Sequence, residues 1–226
     1  MARLDSILDA GAVIGYPNAV PDELDALRGA IARCRVCRDA PQSATPLPHE
    51  PRPISVISQK TSILIASQAP GLRAHDSGVP FNDPSGGRLR QWLGVDPETF
   101  YNRDHFAIVP MGFCFPGYDA HGGDLPPRRE CAPVWREPVL ASMPQIRLIL
   151  AIGHHAQRWH LGKLCPKSMT DTVAAWRSFI DPQDGTVPLL PLPHPSWRNT
   201  SWIKRHPWFE TELLPVLRAR VGTLLG

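Results

Sequence analysis

No stretch of the chain reaches the roughly 18 consecutive apolar residues that a membrane-spanning helix needs, which sets aside an integral membrane helix. The N-terminus, beginning Met1-Ala2-Arg3-Leu4, has no long apolar core behind its basic residue and does not read as a secretory leader. No internal repeat or low-complexity tract is evident. Net charge is only +3, too small to mark the whole chain as a nucleic-acid binder, although Lys and Arg gather around 127–136, 198–205 and 218–220. There are five cysteines, an odd number, which points to thiols or metal ligands rather than a disulfide framework. The expectation is a cytoplasmic, monomeric protein with no membrane partner.

What is present suits one α/β domain. A chain of 226 residues with 42% apolar content can bury a substantial core. Its 26 prolines cluster near 41–53, 110–138 and 181–195, where long ordered loops should join the elements. Apolar residues at Leu24, Leu27 and Ile31 have helical spacing after a Pro21-Asp22 start, giving a helix over 21–33 that delivers Cys34 and Cys37. Short apolar runs at 63–66, 106–109, 147–152 and 187–192 read as buried strands. Helices are expected over 86–93, 132–143, 154–161, 170–179 and 208–221. This alternation favours a parallel sheet covered on both faces. The loop 110–130 is long enough to suggest function.

Five motifs follow in order: Cys34-Arg-Val-Cys37, Ser67-Gln68-Ala69-Pro70-Gly71, Pro80-Phe81-Asn82-Asp83, Cys114 with Cys131, and His194-Pro195-Ser196-Trp197-Arg198-Asn199. The Ser67 and His194 turns each follow an apolar strand, so both lie where open α/β sheets build their sites and can face each other across one pocket. His154, His155 and His160 invite a metal reading. A helix would not put all three on one face, however, and helix-capping or DNA-facing roles are preferred.

The order of these motifs resembles the uracil-DNA glycosylase superfamily, over roughly residues 31–220. In that superfamily two such turns enclose a base extruded from DNA. The resemblance implies a three-layer α/β/α sandwich with a central, mainly parallel sheet of about four strands. It would form a single domain over 1–226, with 1–33 as an N-terminal helical arm. It further implies hydrolysis of an N-glycosidic bond, which needs a carboxylate near the cationic sugar and a donor near the departing base. His194 takes the donor role, because imidazole donates a hydrogen bond even when neutral. Asp76, or alternatively Asp83, is the candidate carboxylate. Phe81 would stack on the base, and Gln68, Pro70, Gly71 and Asn82 would line its pocket. Ser196, Trp197, Arg198 and Asn199 would meet the DNA, with Trp197 or Arg198 as the wedge. Lys204 and Arg205 would hold phosphates.

Cys34, Cys37, Cys114 and Cys131 resemble the ligands of the four-cysteine iron–sulfur branch of that superfamily. Four thiolates suit a [4Fe–4S] cluster, and the same set can bind zinc. The chain also departs from the branch's pattern. Pro110 stands where an Asn precedes the third cysteine by four residues, and a proline cannot supply an amide's donor and acceptor. Gln68 replaces a carboxylate, and Ala69 replaces the Asp of the best-known branch. Two rivals therefore remain open: a nucleic-acid-binding protein on the same scaffold without catalysis, and a hydrolase of free nucleosides.

Overall fold

A computed structural model describes residues 21–42 and 45–226. Of the expected N-terminal arm, the part before Pro21 lies outside the described residues. The chain forms α1 (Pro21–Ala32), α2 (Val36–Asp39), β1 (Ile63–Ala66), α3 (Leu72–Ser77), α4 (Pro84–Leu93), α5 (Pro97–Tyr101) and β2 (Phe106–Ile108). It continues with α6 (Cys131–Ala141), β3 (Leu148–Ile152), α7 (His154–Leu161), α8 (Met169–Ala174) and α9 (Arg177–Ile180). The last elements are β4 (Leu189–Leu192), α10 (Thr200–Arg205) and α11 (Leu214–Leu225), which a five-residue π turn, Phe209–Leu213, precedes.

The four strands form one sheet in the order β2-β1-β3-β4, and every pairing is parallel. Successive side chains of a strand point to opposite faces, and the two cores follow that alternation. Ile63 and Ile65 join Phe106, Ile108, Leu150 and Leu192 on one face, covered by α4, α5 and the helices from α8 to α11. Leu64 and Ala66 join Ala107, Val109 and Ala151 on the other, covered by α1, α6 and α7. The three-layer α/β/α architecture is thus present. Pro191 sits within β4, which is tolerated because β4 is an edge strand and the missing N–H costs no inner ladder bond.

Several boundaries differ from the periodicity reading. The expected helix over 170–179 is two short helices, α8 and α9, broken at Ala175–Trp176. The helix α4 begins two residues earlier than the Gly86 turn suggested, because Asp83 caps it by accepting from Gly86 N–H at 2.9 Å and Pro84 occupies its first turn. The helix α6 runs through Pro138. Three short helices, α3, α5 and α10, have too few turns to register as a period. The chain passes from β1 to β2 on one side and from β2 to β3 on the other, so the order reverses around β1. A crevice at the carboxyl ends of the strands follows from that reversal.

Candidate active site

That crevice holds a cavity of about 340 Å³, within the usual ligand-cleft range of about 300–1,000 Å³. Ser67, Ala69, Pro70 and Gly71 reach it from the end of β1, Pro110 from β2, and His194, Ser196, Trp197 and Arg198 from β4. Phe81 and Asp83 form another wall, and Asp124 enters from the long loop after β2. Residues separated by more than 100 positions thus share one opening.

Phe81 carries the clearest local sign of a built site. Its φ of 55° makes it the single non-glycine residue with positive φ among the described residues, a conformation that strains a bulky side chain. Its neighbours hold it there. Tyr101 Oη donates to the Phe81 carbonyl at 3.2 Å, and the ring meets Phe100 edge-on at 6.1 Å. Gly86 lets the backbone pass, because a Cβ there would lie 1.8 Å from the Phe81 carbonyl oxygen. Gly71 behaves differently: its φ is −81° and a Cβ would meet nothing within 4 Å. Packing within the protein does not demand a glycine at that position.

The His194 turn fixes a tautomer. Ser196 N–H donates to His194 Nδ1 at 3.2 Å. A ring nitrogen that accepts carries no proton, so the neutral imidazole keeps its hydrogen on Nε2. Burial is the main influence holding His194 below its ordinary pKa, and Arg198 acts in the same direction, while Asp83 and Asp124 pull it up. Asn199 Nδ2 donates to the His194 carbonyl at 2.7 Å. Arg88 of α4 donates to the Ser196 carbonyl at 2.9 Å and to Thr200 Oγ1 at 3.3 Å. Gln157, fully buried, donates to the Leu192 carbonyl at 3.0 Å.

The expected site residues divide accordingly. His194, Pro70, Gly71, Phe81, Ser196, Trp197 and Arg198 converge on the cavity. Trp197 is 75% exposed, with the Arg198 guanidinium 5.7 Å from its ring centre. Gln68 does not line the cavity, although its neighbours do; its carbonyl accepts from Gly112 N–H at 3.0 Å. Asn82 is exposed and outside the lining. Asp76 lies past the last lining residue of α3, exposed, with its carbonyl taken by Arg52 at 2.7 Å. Asn199 uses its amide inside the turn, and Lys204 and Arg205 are exposed on α10 away from the cavity. Sequence reasoning missed Asp124, Arg88, Tyr101 and Gln157. Their only signal lay in the Gly123-Asp124 turn within a loop marked as long.

Cys34, Cys37, Cys114 and Cys131 line a second, small cavity, walled by apolar groups that include Pro51, Pro53 and Phe113. Phe113 N–H donates to Cys131 Sγ at 3.3 Å and Trp135 Nε1–H to Cys34 Sγ at 3.2 Å. Burial pushes the Cys114 and Cys131 thiols up to about 12 and raises Cys37 as well. Among the described residues no three His, Cys, Asp or Glu side chains converge as ligands of one metal ion. Cys165 lies elsewhere, 3.8 Å from Thr172 Oγ1.

Buried Arg136 of α6 braces the end of β2. Its guanidinium donates to the carbonyls of Val109 and Pro110, at 3.1 and 3.4 Å, and to His160 Nε2. His154, His155 and His160 do not form a cluster: His160 serves Arg136, whereas His155 is exposed.

A parallel sheet whose crevice presents an aromatic ring, a glycine turn and an imidazole defines an α/β protein with a ligand-sized cleft at the carboxyl ends of its strands. The family model described as the uracil DNA glycosylase superfamily matches residues 54–218, and the chain belongs to that superfamily. Its members are in general hydrolytic glycosylases that act on DNA. No described helix is long and apolar enough to cross a membrane.

Proposed function

We propose that this chain excises a deaminated or damaged base, uracil or a relative, by hydrolysing its N-glycosidic bond after the nucleotide has flipped out of DNA. One observation carries this reading: the Gly71 turn, the Phe81 ring and the His194 imidazole line one cavity sized for a small ligand. The ring of Phe81 stacks on the base. The His194 Nε2–H donates to the base oxygen as negative charge develops there, and the Ser196 amide keeps that hydrogen in place. A neutral donor suits the task, because the base leaves as an anion without needing a full proton at the start.

The carboxylate role passes from Asp76 to the aspartates on the cavity. Asp83 already spends one oxygen on the Gly86 amide, which leaves Asp124 to orient the attacking water and offset the cationic sugar. Trp197, exposed beside the opening, fills the gap left by the flipped base, and Arg198 meets a phosphate.

The four cysteines suit a [4Fe–4S] cluster. Their thiols share an apolar cavity, and two of them receive N–H donors of the kind that tune cluster sulfurs. Such a group would tie α1 and α2 to the 110–131 loop, a structural task.

The test is strand cleavage by hot alkali after incubation with labelled single- and double-stranded oligonucleotides containing uracil, hypoxanthine or xanthine. A cut at one lesion, lost in His194→Ala, supports excision and names the base. No cut by folded, metal-replete protein would favour a binding protein or a nucleoside hydrolase.

A further inference from the structure

The hairpin Tyr118–Leu125, closed by an antiparallel bridge between Tyr118 and Asp124, separates two openings. Asp124 lines the candidate active site, whereas Tyr118 and Leu125 line a larger groove of about 950 Å³ on the other side. Prolines of two loops wall the groove, and α7 supplies its far side. Two rings stand in it for solvent: Tyr118 is 49% exposed and Trp159 is 40% exposed. Arg129 and Arg158 also line it, both exposed, and neither has an ion-pair partner among the described residues. Among the described residues no aspartate or glutamate lines the groove.

A concave, carboxylate-free groove with free guanidinium groups complements a polyanion. Exposed aromatic faces between the cations add a second requirement, flat groups to stack on, which a chain of unpaired nucleotides meets. A duplex hides the faces of its bases. We infer that this groove binds the single strand adjoining the flipped nucleotide, with bases stacked on Tyr118 and Trp159 and phosphates held by Arg129 and Arg158. The hairpin then acts as a divider: the strand crosses it, and one nucleotide drops into the Asp124 side. The inference rests on the excision reading for the direction of the strand, but not for the chemistry of the groove.

The experiment measures anisotropy of a labelled, lesion-free single strand and of the matching duplex with the full chain, alongside base release from a lesion-bearing strand. The variants are Arg129→Glu with Arg158→Glu, Trp159→Ala and Trp159→Phe. The double reversal should weaken single-strand binding at least about tenfold and lower the slope of log affinity against log salt by about 1.4, roughly 0.7 per lost phosphate. Trp159→Ala should lose between about five- and 150-fold, and Trp159→Phe should restore most of it. Base release at saturating strand should be unchanged. Wild-type affinity in every variant, equal losses on duplex and single strand, or no rescue by phenylalanine would each overturn the proposal. So would displacement of the strand by polyglutamate at equal charge, which would make the occupant an acidic polypeptide. If the wild type releases no base while the variants still lose single-strand binding, the excision reading falls and the groove stands. If release is intact and the affinities do not move, the reverse holds.

Discussion

The side-chain amide of Asn199 donates to the main-chain carbonyl of His194 at 2.7 Å, so the last residue of the turn motif holds the first. An amide spent inside the turn acts on the imidazole rather than on DNA. Asn199→Ala should therefore lower the rate of base release at saturating DNA by about tenfold or more through misplacement of His194, while DNA affinity changes little. Single-turnover kinetics read together with a binding curve separates these effects. A variant that binds weakly but turns over normally would make Asn199 a DNA contact.

The protonation of His194 sets a pH profile. Burial, aided by Arg198, holds the imidazole below its ordinary 6.5, so it is neutral at pH 7. A reaction using the neutral Nε2–H stays level through neutrality and fails as pH falls through the depressed pKa, because a protonated ring loses its bond from the Ser196 amide. Asp124→Asn removes a charge that pulls this pKa up and should move the acid limb to lower pH. Replacing His194 with Ala should cost about 10²–10⁴ in rate.

Two glycines beside the cavity should respond in opposite ways. Gly86→Ala drives a Cβ to 1.8 Å from the Phe81 carbonyl, so the strained platform must shift, at a cost on the order of 1–3 kcal/mol or more. Gly71→Ala meets open space at an ordinary φ, so stability should stay within about 1 kcal/mol. Base release should nonetheless fall, because the added methyl occupies the side where the ligand approaches the backbone. Thermal melts and excision rates on both variants check the contrast.

The cysteine cavity predicts coupled losses of metal and stability. Cys34→Ser, Cys114→Ser or Cys131→Ser should lower iron and sulfide content together and reduce Tm. Zinc content that survives iron chelation would point instead to a zinc site. Since burial raises three of these thiols, loading must expel protons, and retention should weaken as pH falls.

Stability itself should depend on pH through His160. Burial, then the neighbouring Arg136, lowers its folded pKa to about 3 from an ordinary 6.5. Between those values the unfolded chain binds a proton that the folded chain excludes. This contribution is complete above about 6.5 and is lost progressively as pH falls toward about 3. His160→Gln keeps an acceptor for Arg136 without a titration and should flatten that limb in melts between pH 7 and 4. Arg136→Met should release the Val109 and Pro110 carbonyls, lowering both Tm and excision rate.

Much of the fold was legible in order along the chain. Four short apolar runs read as buried strands and all four form the parallel sheet, and the turns after the first and last of them carry Gly71 and His194 to one cavity at its carboxyl edge. The four cysteines were likewise readable, since Cys34-x-x-Cys37 is a local signal and the loop to Cys131 announced itself by length and proline. Local sequence determined these features because strand period, turn chemistry and close pairs depend on near neighbours. Only the tertiary structure decided that Asp124 rather than Asp76 reaches the cavity, that Asn199 turns inward, that Arg88 braces the His194 turn, and that Arg136 braces the end of β2. Each of those facts joins a side chain to the site through a loop path, a helix rotation or a crossover, and side-chain direction across such distances is set by packing that no residue's neighbours encode.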